Sequence, residues 1–223
     1  MYIEQQPPGI PGPERPWPEI PTTPGVPGVP RTAGPEPRPI LPSWYEPTSI
    51  SIERELADRL LAERVILVGG RLDDALANHV ASQLLLLDAQ GNDPITLHLS
   101  ASESGLDAAL SVAGAIGLIT APVHAVARGT VRGAAIAVLA AAAQREAHRH
   151  TMFVLSTPKF TADGTAGQLA ALADQHERQH ARLLDLVATA TGRSADEVAA
   201  DLDAGRVLSA EEAVTYGLIT GLR

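Results

Sequence analysis

Residues 129–143, GTVRGAAIAVLAAAA, have the outline of a reaction centre: a glycine-bearing turn that opens directly into an alanine-rich segment. Such a turn lifts a reactive side chain above a helix N-terminus, where backbone N–H groups can hold a developing oxyanion. Here it presents Gly133, which has no group to attack with, and the nearest hydroxyl on the turn is Thr130. A second stretch, His176-Glu177-Arg178-Gln179-His180, sets two imidazoles one helical turn apart with a glutamate beside them, the pattern zinc peptidases use. No third ligand follows His176 and His180 at a recognisable interval, so an exposed or inter-subunit polar pair is the expected role and no metal or cofactor is assigned. His124, His148 and His150 flank strands and are expected to be surface or satisfied core residues rather than catalytic bases.

The chain that must position these residues has 223 amino acids, 45% of them hydrophobic, with mean hydropathy near zero, as expected of a soluble protein with one substantial core. Fifteen of the eighteen prolines fall in residues 1–47, where each fixes φ and removes a donor, so a disordered or polyproline tail is expected there and a folded domain over 48–223. Net charge of −9 without clustered Lys or Arg argues against a nucleic-acid surface. No signal-peptide core or membrane-spanning run is seen, which gives the expectation of a cytoplasmic protein without membrane contact. Cysteine is absent, which removes thiol catalysis and Cys-ligated zinc.

From residue 49 the sequence alternates. A helical stretch, SISIERELADRLLAER, leads into the β-branched run 65–68, closed by a turn at Gly69 and Gly70. Leu72, Leu76, Val80, Leu84 and Leu87 then recur at helical spacing until Gly91. Residues 95–99 read as a strand, 105–119 as a small-residue helix, 123–127 as another strand, and about 133–143 as a buried alanine helix. Strand and helix alternating with short connections imply an α/β fold with mainly parallel pairing. A long helix over about 166–191 carries Leu169, Leu172, Leu183, Leu184 and Val187; it exceeds what one small core covers, so it is expected to project and meet another subunit. Two capping boxes, Ser194 with Glu197 and Ser209 with Glu212, start the last helices, and Gly217 ends the second.

With these elements in order, the chain resembles the proteolytic subunit of the Clp ATP-dependent protease, within the Clp protease and crotonase-like fold. The resemblance rests on ILPSWYEPTS (40–49), ERVILVGGRLDDALANHVASQLLLLDAQ (63–90), the alanine helix after Gly133, QREAHRH (144–150) and TGRSADEVAADLDAGRVLSAEEAVTYGLI (191–219), with a two-residue shortening near Ala142. It implies a repeated ββα superhelix with a projecting handle helix, and a serine peptidase of two stacked rings fed by a partner ATPase. The family's nucleophile position falls on Gly133, its histidine on Ser156 and its aspartate on Gly205; an ungapped match from downstream would put Val131 in place of Gly133. The family's S-P-G-G oxyanion loop falls on Ala101-Ser102-Glu103-Ser104, where Glu103 sets negative charge against a developing oxyanion and Ser104 replaces a glycine.

The expected function is therefore a catalytically inactive Clp protease-like subunit, a structural or regulatory member of a ring-shaped peptidase complex. It would assemble with itself or with active paralogues, and dock a Clp ATPase or adaptor. The alternatives are an active serine endopeptidase using Ser102, Ser104 or Ser156, a zinc-binding hydrolase through His176, Glu177 and His180, or a crotonase-type enzyme acting on a coenzyme A thioester.

Overall fold

The computed structural model describes residues 49–223; the proline-rich segment and the expected boundary at residues 47 and 48 lie outside them. Helix α1 (Ser49–Ala62) precedes two strand–helix units, β1 (Val65–Leu72) with α2 (Asp74–Gln90) and β2 (Ile95–Ser104) with α3 (Leu106–Leu118). The next two units gain a second strand: β3 (Val123–Ala127), β4 (Thr130–Arg132) and α4 (Ala135–Ala141), then β5 (Gln144–Ala147), β6 (Met152–Val154) and α5 (Ala166–Thr191). Helix α6 (Ala195–Asp203), β7 (Val207–Ser209), α7 (Ala210–Tyr216) and β8 (Gly221–Leu222) complete the described chain.

Pairing is parallel throughout a five-stranded sheet in the order β1-β2-β3-β5-β8. The second strands form their own small sheet, β4-β6-β7, in which β6 pairs antiparallel with β7. This is the ββα repeat that the resemblance implies.

Two strands run further than the sequence suggests. Gly69 and Gly70 do not close β1; the strand continues to Leu72, and the β1–β2 register shifts after Gly70, whose φ of 79° only glycine adopts without strain. Strand β2 likewise runs past Leu99 to Ser104, so the residues expected in an oxyanion loop lie on a strand, with Glu103 opposite Arg71 and Ser104 opposite Leu72. Leu72 is a buried strand residue rather than part of the helix stripe; Val80, Leu84 and Leu87 keep that role on α2.

Helices α2, α3 and α4 lie side by side over the large sheet, and α5 crosses α3 and α4 with its C-terminal half. Every residue of α4 from Ala135 to Ala140 is buried, and small side chains let it sit close to its neighbours. The 26 residues of α5 reach about 39 Å, but only Leu183 and Val187 on it are fully buried. Its N-terminal half projects, with Leu169 and Leu172 exposed.

The ends of the helices follow their sequence signals. Asp73 accepts from the Leu76 N–H at 3.0 Å and caps α2. Ser194 and Ser209 accept from the N–H groups of Glu197 and Glu212, each at 3.2 Å, while each glutamate reaches back to its serine's N–H. A third capping box, which the sequence analysis does not pick out, starts α5, where Gln168 Oε1 accepts from the Thr165 N–H at 2.9 Å. Gly217 ends α7 at φ 86° against the Thr191 backbone: a Cβ there would stand 2.8 Å from Thr191 O.

Candidate functional site

The site forms where β4 meets α4. Strand β4 carries the chain past the buried Val131, and Gly133 turns it with φ 60°, its N–H donating to Val154 O at 3.0 Å. Helix α4 starts two residues later. This is a sharp strand-to-helix turn of the kind that can carry a nucleophile. Val131, the residue an ungapped match would put in that place, is buried within β4, opposite Phe153.

Ser156 lies beside the turn. A Cβ on Gly133 would stand 3.5 Å from Ser156 Oγ and 3.7 Å from Ser104 Oγ. Gly205 belongs to the segment alongside, because the Leu155 N–H donates to Arg206 O at 2.8 Å and the Thr157 N–H to Leu202 O at 3.2 Å. With φ 67° and nothing within 4 Å of where its Cβ would be, Gly205 leaves open space. The three positions that the resemblance aligns with a triad are thus near neighbours in the fold, and they carry two glycines and one hydroxyl.

Ser104 is committed to the backbone. Its Oγ accepts from the Ala135 N–H at 2.9 Å and donates to Arg132 O at 3.0 Å, tying β2 to the start of α4. Glu103 stands exposed on the strand, 3.9 Å from Arg71. The resemblance puts Ser104 in an oxyanion loop, whereas it ends strand β2; the tie went unnoticed because nothing in the sequence marks a hydroxyl that bridges two distant backbone groups.

Near Gly205 the charged residues form a separate cluster. Asp201 accepts from the Tyr216 hydroxyl at 2.8 Å and from Arg206 at 2.9 Å, while Arg193 lies over the Tyr216 ring, 4.1 Å from its centroid. Burial raises the Asp201 pKa, but the hydrogen bonds from Arg206 and Tyr216 outweigh it and leave the carboxyl below its ordinary range. The Tyr216 hydroxyl is pushed up to about 12, by burial first and then by Asp201. Asp201 is thereby fixed as an acceptor within the C-terminal helices.

His176 and His180 lie on α5, away from the Gly133 turn in the chain, with ring centroids 6.5 Å apart and Phe160 stacked on His176 at 4.5 Å. Among the described residues no group of three or more His, Asp or Glu converges in a way that could hold a metal ion. Ser102 is exposed on β2, and His124 is half-buried on β3; His148 and His150 occupy the exposed turn between β5 and β6. Among the described residues no helix is long and apolar enough to cross a membrane.

A family model described as Clp protease matches residues 51–222. The ATP-dependent Clp protease proteolytic subunit 1 of Corynebacterium diphtheriae is 31% identical over 194 residues, which cover 83% of this chain and 91% of that protein. Subunit 2 from Mycobacterium bovis is 30% identical over 83% of this chain and 89% of its own length. The chloroplastic subunit 4 of Arabidopsis thaliana is 32% identical over 76% of this chain and 59% of its own.

Proposed function

Since the chain belongs to the Clp protease family, we propose that it is a catalytically silent proteolytic-subunit homologue that assembles through its projecting helix and shapes a ring-shaped peptidase complex without cleaving peptides itself. The observation that carries this reading is the composition of the Gly133 turn. Peptide hydrolysis by this fold needs a nucleophile at the turn, a base in contact with it and an open oxyanion site. Gly133 supplies no nucleophile, Ser156 is no base, Gly205 cannot orient one, and the Ser104 hydroxyl takes the Ala135 N–H. Losses within such a unit do not add, so no single substitution restores it.

Assembly is supported by Leu169 and Leu172, which α5 holds exposed on its projecting half. The assembly would contain copies of this chain or active paralogues in a mixed ring, with a Clp ATPase or adaptor docking on it, in the cytoplasm. A mixed ring would hold fewer active sites and present a different surface to that ATPase.

A second reading, cleavage by Ser156, is favoured by the position of its hydroxyl beside the vacant place on Gly133. Peptide turnover and intact-complex mass, measured on one preparation of the full chain with and without an active paralogue, separate the two readings. A large assembly, inactive alone, is expected. A monomer that cleaves a fluorogenic peptide, and loses that activity in Ser156→Ala, overturns the proposal.

A further inference from the structure

A groove of about 680 Å³ lies between α3 and the C-terminal half of α5, with the end of α4 and Arg145 also lining it. Small side chains keep it open. Leu110, Ala113 and Gly114 recur at helical spacing on α3, and Ala140 and Ala141 of α4 bring only methyl groups to the space. From α5 come Arg182, Asp185, Leu186 and Thr189, again one face of a helix. Small-molecule sites hold about 300–1,000 Å³ and pair a mainly apolar lining with a few polar groups, and this groove has both properties.

The charge of the groove is unbalanced. Arg145 and Arg182 bring two guanidiniums and Asp185 one carboxylate, an excess of positive charge inside a chain whose net charge is −9. Among the described residues, no carboxylate lies within salt-bridge distance of either arginine. Arg145 donates only to carbonyls, to Ala190 O at 2.9 Å, to Leu218 O at 3.0 Å and, from Nη1, to Ala142 O at 3.4 Å. A guanidinium has more N–H groups than these bonds use, so part of the donor fork stays open. Burial opposes the charge of Arg145 and loosens its hold on the proton, and no anion of the chain offsets that.

We propose that this groove binds an amphipathic carboxylate, a small molecule with an apolar chain and an anionic head, its head on Arg145 and its chain between α3 and Leu186. The planar fork of a guanidinium matches a carboxylate, and the pair would supply the counter-charge that Arg145 lacks. Burying the chain against Leu110, Ala113 and Leu186 removes apolar surface from water. From Ala190, which accepts from Arg145, back to Arg182, α5 covers about 12 Å, roughly the reach of a ten-carbon chain. No aromatic side chain lines the groove, so a nucleobase or other flat ring would find no stacking partner. None of the residues at the Gly133 turn lines it either, so this site stands or falls separately from the assignment of a silent subunit.

The test is isothermal titration calorimetry of the full chain with decanoate, kept below the concentration at which it forms micelles, beside decanol, which has the same chain and no charge. Decanoate is expected to bind saturably, and decanol about fivefold or more weaker. Gly114 and Gly117 both lie on α3 with nothing within 4 Å of where a Cβ would be, but only Gly114 lines the groove. Gly114→Leu fills the site and is expected to weaken decanoate about tenfold or more, while Gly117→Leu leaves it unchanged. Arg145→Gln is expected to weaken decanoate about fivefold and to leave decanol unaffected; should that variant fold poorly, the preference of the parent for decanoate over decanol gives the same readout of charge. No saturable binding, as when a second copy of the chain covers the groove, equal affinity for decanol, or equal effects of Gly114→Leu and Gly117→Leu overturns the proposal.

Discussion

The hydroxyl of Ser104 and the backbone N–H of Ala135 are hydrogen-bonded at 2.9 Å, so the first turn of α4 is held by a side chain from the strand beside it. The same hydroxyl donates to Arg132 O at 3.0 Å on the other side of the Gly133 turn. A single side chain therefore staples both flanks of the turn. Ser104→Ala removes both bonds from a half-buried place and is expected to cost about 1–2 kcal/mol, read from urea unfolding. An unchanged midpoint would show that the tie is idle.

A serine introduced on the turn is expected not to produce acyl transfer. Gly133 has φ 60°, a conformation that costs a non-glycine residue roughly 1–2 kcal/mol, and Gly133→Ser would meet Ser156 rather than an imidazole. Gly133→Ser is expected to stay unlabelled by a fluorophosphonate probe and to melt at a lower temperature than the parent. Labelling of that single variant would mean that an unrecognised base faces the turn.

Leu169 and Leu172 are 37% and 36% exposed on the projecting half of α5, whereas Leu183 and Val187 on its other half are fully buried. Replacing both by glutamate removes the apolar stripe while leaving Leu183 and Val187 in the core. Intact-complex mass spectrometry should then show smaller species, with an undiminished melting transition for the separated subunits. Retention of the parent mass would place the assembly contact elsewhere.

Asp201 loses its proton more readily folded than unfolded, because Arg206 and Tyr216 hydrogen-bond its charged form against the opposing effect of burial. A carboxyl of this kind contributes its full stability above the ordinary carboxylate range, and that contribution disappears as pH falls through the folded value. Tyr216→Phe deletes one of those bonds. It is expected to destabilise by about 1–2 kcal/mol at neutral pH and to bring acid unfolding on at a higher pH, both followed by circular dichroism.

His98 titrates below a free imidazole, through burial and then Arg128 and Arg223, so it favours the folded state fully above about pH 6.5 and less as pH falls. Arg128→Gln removes one source of repulsion and is expected to raise the His98 pKa in an NMR titration. A value that did not move would mean that burial and Arg223 set it without Arg128.

Most of the architecture can be read from local patterns. Val80, Leu84 and Leu87 announce α2, both serine capping boxes form, and Gly217 stops α7 at φ 86°. Gly69 and Gly70 mislead, because a glycine at positive φ is as much at home in a bulged strand as in a turn, and only the partner strand decides. Strands β4 and β6 have three residues each, too few to show a period of two. Family resemblance brings Gly133 and Ser156 to notice, and folding sets them side by side, yet the Ser104 staple depends on a contact 31 residues distant that no spacing rule marks.

Arg145 donates to Ala142 O, to Ala190 O at the end of α5 and to Leu218 O beyond α7, the last two lying 45 and 73 residues further along the chain. Its half-buried guanidinium has the last two acceptors only when the long helix and the C-terminal segment are docked. The cost of a desolvated cation thus couples pieces distant in sequence to the central sheet. Amide hydrogens around Ala190 should accordingly exchange only when the whole domain opens, while those in the outer turns of α5 exchange by fraying.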